Sequence, residues 1–288
     1  MPDPQKLLAT IRKATQLTRA TPGRKGSLVT VDDAEEMMVV GDLHGNLPAF
    51  RTALAVAALE AHQARHLVFQ ELIHELGGEA DDRPDRSHRL VDLFCALKCQ
   101  HPVRVHLILG NHELSELTGR PIGKDGLALN RRFQEGLELS YGPSADEIYR
   151  AYLELFSALP LAVRTPNRVF VCHTIPDAAS LESLDLSLLH ADHWPEAATK
   201  RGGTIYALTW GRDTSPETVD RFAAMVDADW FVTGHQPCQE GFRQANHRQI
   251  IVDGTNPRPA YCLFPARQPV SIETLLGAAA PLDLPRSN

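Results

Sequence analysis

The stretch Met37-Met38-Val39-Val40-Gly41-Asp42-Leu43-His44-Gly45-Asn46-Leu47-Pro48 decides the reading of this chain. Four consecutive apolar residues have the look of a short strand buried on both faces. Gly41 breaks the run, Asp42 and His44 follow between glycines, and Asn46 with Pro48 signal the start of a helix over Pro48–Leu59. A strand, a sharp polar turn and a helix in this order put the polar residues at the carboxyl end of the strand. Open α/β sheets place their sites there, because the loops converge above the sheet edge.

The same grammar recurs on either side. His66–Phe69 reads as a second buried strand and Ser87–Lys98 as the next helix. Val103–Leu109 reads as a third strand, stopped at Gly110 and followed by Asn111-His112-Glu113. Upstream, Leu7, Leu8, Ile11 and Leu17 mark an amphipathic helix, and the acidic run Asp32–Glu36 a solvated entry into the first strand. Downstream, a helix over Ala145–Leu159 leads into Leu161–Val163 and Val169–Cys172, which resemble a strand pair turning at Asn167. Further strands are expected at Tyr206–Leu208, Trp230–Thr233, Gln249–Val252 and Tyr261–Phe264, and the Pro- and Ala-rich tail from Pro265 reads as a loose surface strap. Two of the later strands end in Cys172-His173-Thr174 and Thr233-Gly234-His235-Gln236. Alternating strands and helices, then shorter strands at hairpin spacing, predict an α/β protein with one mixed sheet or two packed sheets.

The composition bounds what such a chain can do. With 43% hydrophobic and 23% charged residues over 288 positions, it is neither disordered nor of low complexity. No repeat or Gly/Ser/Pro linker divides it, and the expected division is a helical extension over 1–30, a main domain over 31–265 and a tail over 266–288. Lys and Arg number 29 against 36 Asp and Glu, a net charge of −7, and the basic pairs Arg24-Lys25 and Arg131-Arg132 stand alone. That is no footprint for nucleic acid or an anionic membrane. The N-terminus lacks an apolar secretory segment, and the longest apolar stretches, such as Leu54–Leu59, are too short to span a bilayer. Five cysteines, an odd and sparse count, point to reduced thiols and a cytoplasmic location. Cys95 and Cys99 share a helix face, but no second Cys pair completes a zinc site, so they read as core thiols.

Asp, His and Asn at strand ends are ligands for divalent metals of intermediate hardness. Gly41-Asp42-Leu43-His44-Gly45, Gly110-Asn111-His112-Glu113 and the isolated His173 and His235 together resemble the calcineurin-like metallophosphoesterases, most nearly the serine/threonine phosphoprotein phosphatases with their prokaryotic members. The plain alternative is a set of polar loops that bind no metal. The resemblance runs from about residue 38 to about residue 255. It implies a sandwich of two mixed sheets flanked by helices, with two divalent ions (Mn, Fe, Zn or Co) at the sheet edge. By matching motif to motif, Asp42 and His44 would bind the first ion, and Asn111, His173 and His235 the second. His112 falls at the position that protonates the leaving oxygen. Two cations about 3.5–4 Å apart can clamp the attacking and leaving oxygens of an in-line phosphoryl displacement, and an imidazole is a suitable general acid near neutral pH. Pro237 stands where nuclease members carry a second His, which tilts the reading away from nucleases.

The family's second motif, Gly-Asp-x-x-Asp-Arg-Gly, is missing. After the second strand the chain reads Gln70-Glu71-Leu72-Ile73-His74-Glu75, which sets Glu71 where the bridging Asp should stand and Gln70 in place of the glycine. Glu71 is the expected bridge. His74 as an extra or substitute ligand, and a strand end with no metal role, are the alternatives. Further on, Asp82-Arg83 or Asp85-Arg86 could reach back, the Asp orienting His112 and the Arg gripping phosphate in a bidentate fork; otherwise they are a charged loop capping the next helix. Trp210-Gly211-Arg212 resembles the Trp-x-Arg element whose Arg contacts substrate phosphate, the alternative being a surface ion pair with Asp213. The function so implied is a two-metal phosphoester hydrolase acting on a phosphorylated substrate, a phosphoprotein or a small phosphoester. The alternatives are a dinucleoside polyphosphate hydrolase and a degenerate protein that binds phosphate without turnover.

Overall fold

The computed structural model describes residues 3–76, 83–124, 127–255 and 257–283. Its strands are β1 (Arg24–Lys25), β2 (Leu28–Thr30), β3 (Glu36–Val40), β4 (Arg65–Phe69), β5 (Val105–Leu107), β6 (Gly123–Lys124) and β7 (Leu127–Ala128). They continue with β8 (Ala162–Arg164), β9 (Val169–Cys172), β10 (Trp230–Thr233), β11 (Phe242–Gln244), β12 (Gln249–Val252), β13 (Ala260–Pro265) and β14 (Ala279–Pro281). Seven of them form a sheet in the order β1-β2-β8-β9-β10-β12-β11, and five a second sheet in the order β14-β13-β3-β4-β5; β6 and β7 pair by themselves. Both large sheets are mixed. β3, β4 and β5 run parallel, as do β9, β10 and β12, while β13 and β8 run against their neighbours β3 and β9.

Alternation along the strands explains the layering. Met37 and Val39 of β3, Val68 of β4, Val169 and Val171 of β9 and Val232 of β10 fill one apolar cluster between the sheets. Their neighbours Met38, Val40, Leu67, Phe69, Phe170 and Phe231 belong to a larger cluster under the helices. Each strand is thus covered on both faces, which is why β3 and β4 read as unbroken apolar runs. The architecture is the expected α/β sandwich of two mixed sheets flanked by helices.

The helices mostly begin and end near their expected positions. Leu47–Ala57 starts at Asn46, whose side chain accepts from the Ala49 N–H. His88–Gln100 follows Ser87, and Ala145–Ser157 presents Ile148, Tyr152, Leu155 and Phe156 to the core. Asp92 on the first of these accepts hydrogen bonds from Tyr141 and Tyr152 and ties three helices together. No helix among the described residues is long and apolar enough to cross a membrane, and all five cysteines are free.

Two expectations need correction. Tyr206–Leu208 lies inside a helix, Thr204–Trp210, that buries Ile205, Leu208 and Thr209. Three apolar residues suit either periodicity, and the buried pair three apart selects the helix. The tail is no loose strap either. Ser271 caps a helix over Ile272–Gly277, and β14 then pairs with β13. At the other end, β1 and β2 extend the larger sheet, with β2 paired to β8.

Candidate active site

Five strand ends converge at one seam between the sheets. Asp42 stands two residues past β3, Glu71 two past β4, and Asn111 opens the helix Asn111–Thr118 after β5. From the other sheet, His173 follows β9 directly and His235 stands two residues past β10. All five side chains are buried. Direct contacts stitch them across the seam. The His235 N–H donates to Asp42 Oδ2 at 2.6 Å, and His173 Nε2 lies 2.9 Å from Asn111 Oδ1. His44 Nε2 is 3.2 Å from Glu71 Oε2, and its Nδ1 is fixed by the Ile73 carbonyl at 2.9 Å.

Two sets of potential ligand atoms gather within 4.8 Å of one another: His44, Glu71 and His112, and Asp42, Glu71 and His173. Glu71 belongs to both. Its Oε1 accepts from the His112 N–H at 2.5 Å, so the first turn of the helix Asn111–Thr118 steadies the carboxylate. Behind it, Glu113 Oε1 accepts from the N–H groups of Leu72 (2.9 Å) and Ile73 (3.3 Å), holding the loop that carries Glu71. Two glycines make the space. A Cβ on Gly110 would collide with Glu71 Oε1 and Glu113 Oε2, and one on Gly234 with Asp42 Oδ1 and Gln70 Oε1.

The chemistry of these groups suits divalent cations. Among the described residues, Asp42 Oδ1, His173 Nδ1 and His235 Nε2 are buried with no hydrogen-bond partner, as are both polar atoms of the Gln70 amide. Burial would raise Glu71, but His112, His173 and His44 around it outweigh burial and hold its carboxyl well below the usual range. Asp42 is pushed well above it by burial and by Glu71 alongside, a cost that a neighbouring cation would offset. Burial pushes His173 down to about 4 and His235 and His112 well below the usual imidazole range, which favours in His173 and His235 the neutral form that ligates a metal. His44 goes the other way: burial is overcome by its contact with Glu71, which lifts it to about 9. The backbone is strained at the same place. His44, His74 and His235 have φ of 43°, 66° and 65°, three of the six non-glycine residues with positive φ among those described. Such backbone costs of the order of 1–3 kcal/mol each and clusters at functional sites.

The remaining expected residues fall differently. In the register set by Glu71, the family's Asp-Arg pair lands on His74 and Glu75. His74, not Asp85, touches His112, the two Nδ1 atoms lying 2.8 Å apart. Asp85 is buried elsewhere, its oxygens accepting from the N–H groups of Glu75 (3.0 Å) and Ser87 (2.7 Å); it shapes the loop before the helix. Asp82 lies outside the described residues. Arg83 and Arg86 are exposed. Arg212 is exposed beside the seam, near enough for its charge to join burial in lowering His173 and His235. Asp213, its suggested ion-pair partner, instead accepts from the N–H groups of Ala178 (3.1 Å) and Ser215 (2.8 Å) and the Thr218 hydroxyl (2.8 Å). Sequence reasoning gave no role to Glu113 or Glu116. Their one signal was position, on the helix that opens with Asn111 and His112.

A sandwich of two mixed sheets with a carboxylate-, histidine- and asparagine-lined seam at the strand ends defines a class of metal-dependent phosphoesterase folds. Within it, a family model for calcineurin-like phosphoesterases matches residues 37–239, and the chain belongs to that family. It is 25% identical to a probable serine/threonine-protein phosphatase of Encephalitozoon cuniculi over 78% of this chain and 48% of that protein. With serine/threonine-protein phosphatase 5 of Solanum lycopersicum it shares 24% identity over 88% of this chain and 43% of the relative. The chain thus spans about half the length of the curated relatives it matches. In fold it is similar to a protein serine/threonine phosphatase from Saccharomyces cerevisiae, with a TM-score of 0.72, 18% identity and coverage of 99% of this chain and 91% of the other. A cold-active protein-tyrosine phosphatase of a psychrophilic Shewanella shares the fold with a TM-score of 0.60 and 14% identity, over 93% and 84% of the two chains.

Proposed function

We propose that this protein is a metal-dependent phosphoester hydrolase that removes phosphate from phosphomonoesters, with phosphoproteins as the substrate class. The observation that carries the reading is the double membership of Glu71, one ionised carboxylate common to two groups of ligand atoms. By the motif match Asp42 and His44 would hold one divalent ion and Asn111, His173 and His235 the other, with Glu71 shared, although the gathered atoms set His44 with His112 and Asp42 with His173. Ions bound there would supply Lewis acidity toward the phosphoryl group. The chain's own residues do the rest. His112, beside Asn111, holds a proton for the leaving oxygen. Arg212, exposed beside the seam, would engage the phosphate oxygens. The serine/threonine phosphatases among the relatives support the phosphoprotein assignment.

The test is metal analysis of the purified protein together with turnover of p-nitrophenyl phosphate and of a phosphoserine peptide. About two metals per chain with turnover of both is the expected result. Metals without turnover would mark a phosphate-binding protein instead, and turnover confined to dinucleoside polyphosphates would move the substrate class.

A further inference from the structure

The His112 side chain does not stand alone. Its Nδ1 lies 2.8 Å from His74 Nδ1, and His74 Nε2 lies 2.9 Å from Glu116 Oε1. His74 and Glu116 are both wholly buried, with side-chain exposures of 0%. Glu116 is itself gripped from two further sides. Asn130 Nδ2 donates to its Oε1 at 2.7 Å and the Tyr149 hydroxyl to its Oε2 at 2.6 Å. The His74 N–H donates to the Ser87 hydroxyl oxygen at 2.9 Å, and the Phe133 ring meets the imidazole edge-on.

We propose that His74, held by Glu116, is the positioning residue for His112, a His–His–Glu relay standing where the family's second motif would place a single aspartate. This rests on the reading of His112 as the acid of a phosphoester hydrolase. The argument is one of donors and acceptors. A carboxylate that already accepts from Asn130 and Tyr149 is an acceptor toward His74 as well, so the His74 proton sits on Nε2. Its Nδ1 is then a bare lone pair facing His112. Two bare nitrogens at that distance would repel, so His112 carries a proton on Nδ1 and donates it to His74. The nitrogen left to meet substrate is Nε2. To act as the acid, the Nδ1–H ring first takes a proton from solvent at Nε2; in the step that N–H bond breaks, the O–H bond of the leaving group forms, and the imidazolium returns to the neutral Nδ1–H ring. The hydrogen bond to His74 persists through the step, and no proton passes along the relay. Both nitrogens of His74 are engaged in this arrangement. That leaves neither lone pair for a metal and disposes of the ligand role that its position suggested.

The test uses zinc-loaded, ¹⁵N-histidine-labelled protein, whose long-range ¹H–¹⁵N spectra report ring tautomers directly. His112 should appear as the Nδ1–H form and His74 as the Nε2–H form. His74→Gly keeps the left-handed backbone unstrained and removes the ring. It should lower kcat on p-nitrophenyl phosphate by about 10–10²-fold, as loss of an orienting partner does, with KM and metal content unchanged and the His112 tautomer no longer fixed. His74→Asn, whose Oδ1 replaces the Nδ1 acceptor and whose backbone tolerates the same φ, should recover most of kcat. An Nε2–H His112 in the wild type, wild-type kcat in His74→Gly, or loss of metal from that variant would each overturn the proposal. A wild-type protein inert toward aryl phosphate would instead sink the functional reading, and the spectra would still decide the relay.

Discussion

His112 and Glu71 are neighbours in space with opposite duties, and single substitutions should separate them. His112→Ala should keep its metals and lose about 10²–10⁴-fold in turnover, the range for removing a general acid. Asp42→Asn, which removes a ligand charge, should lose metal and activity together, and inductively coupled plasma analysis beside the kinetics distinguishes the two patterns. Glu71→Gln keeps the size and removes the charge shared by both ligand groups, so at least one metal should be lost. Glu71→Asp shortens the reach and should retain partial activity; full metal occupancy in Glu71→Gln would contradict the shared-carboxylate assignment. These residues were legible in the sequence because each sits in a local strand-turn motif, Glu71 by register alone. His74 was reached only as an alternative ligand. Its contacts run to His112 and Glu116, 38 and 42 residues away, and no spacing rule connects a loop residue to a buried glutamate on another element.

At the scale of the element, the turns matter more than the strands. The strand ends bring carboxylates within reach of one another only because Gly110 and Gly234 present no side chain there. Gly234→Ala should therefore press on Asp42 and Gln70 and lower metal affinity by an order of magnitude or more. Its far-ultraviolet circular dichroism should stay that of the wild type; unchanged affinity in a metal titration would show that the seam has slack. The element-level reading of the sequence succeeded where the chain is buried on both sides or opens with a clear cap, as at β3, β4 and the helix after Asn46. It failed at Thr204–Trp210, where a three-residue apolar run carried no period. It failed again after Pro265, where proline and alanine mask a capped helix and an edge strand.

For the whole molecule, alternation along the strands made the α/β class legible, while the partition into a seven-stranded and a five-stranded sheet was not, since pairing between distant strands leaves no local trace. Stability carries its own pH signature. Burial raises Asp92 from the ordinary 3.8 to about 6, against the hydrogen bonds from Tyr141 and Tyr152. The folded chain thus holds that proton more tightly than the unfolded one. Its stabilising effect is complete below about pH 4 and is lost as pH rises through about 6, a swing of about 2–3 kcal/mol. Asp92→Asn removes the titration, so urea unfolding should show the variant gaining on the wild type between about pH 4 and pH 7. A constant difference across that range would refute the assignment.

The seam has one more consequence. Asp42, Glu71 and Asn111 hang from one sheet, and His173 and His235 from the other. Whatever cation they hold in common is a rivet between two halves that otherwise meet through side-chain packing and a few hydrogen bonds across the seam. Occupancy then feeds back on foldedness by mass action: ions at about a hundredfold over their dissociation constant add about 2.7 kcal/mol, or roughly 5–10 °C in melting temperature for a chain of this size. Chelation should lower the midpoint by that much and re-addition restore it, while Asp42→Asn, which removes a ligand from one of the two sites, should show a smaller chelator shift than the wild type. A cell short of transition metals would find this protein easier to unfold and degrade, so the ion supply would set how much of it persists as well as how fast it works.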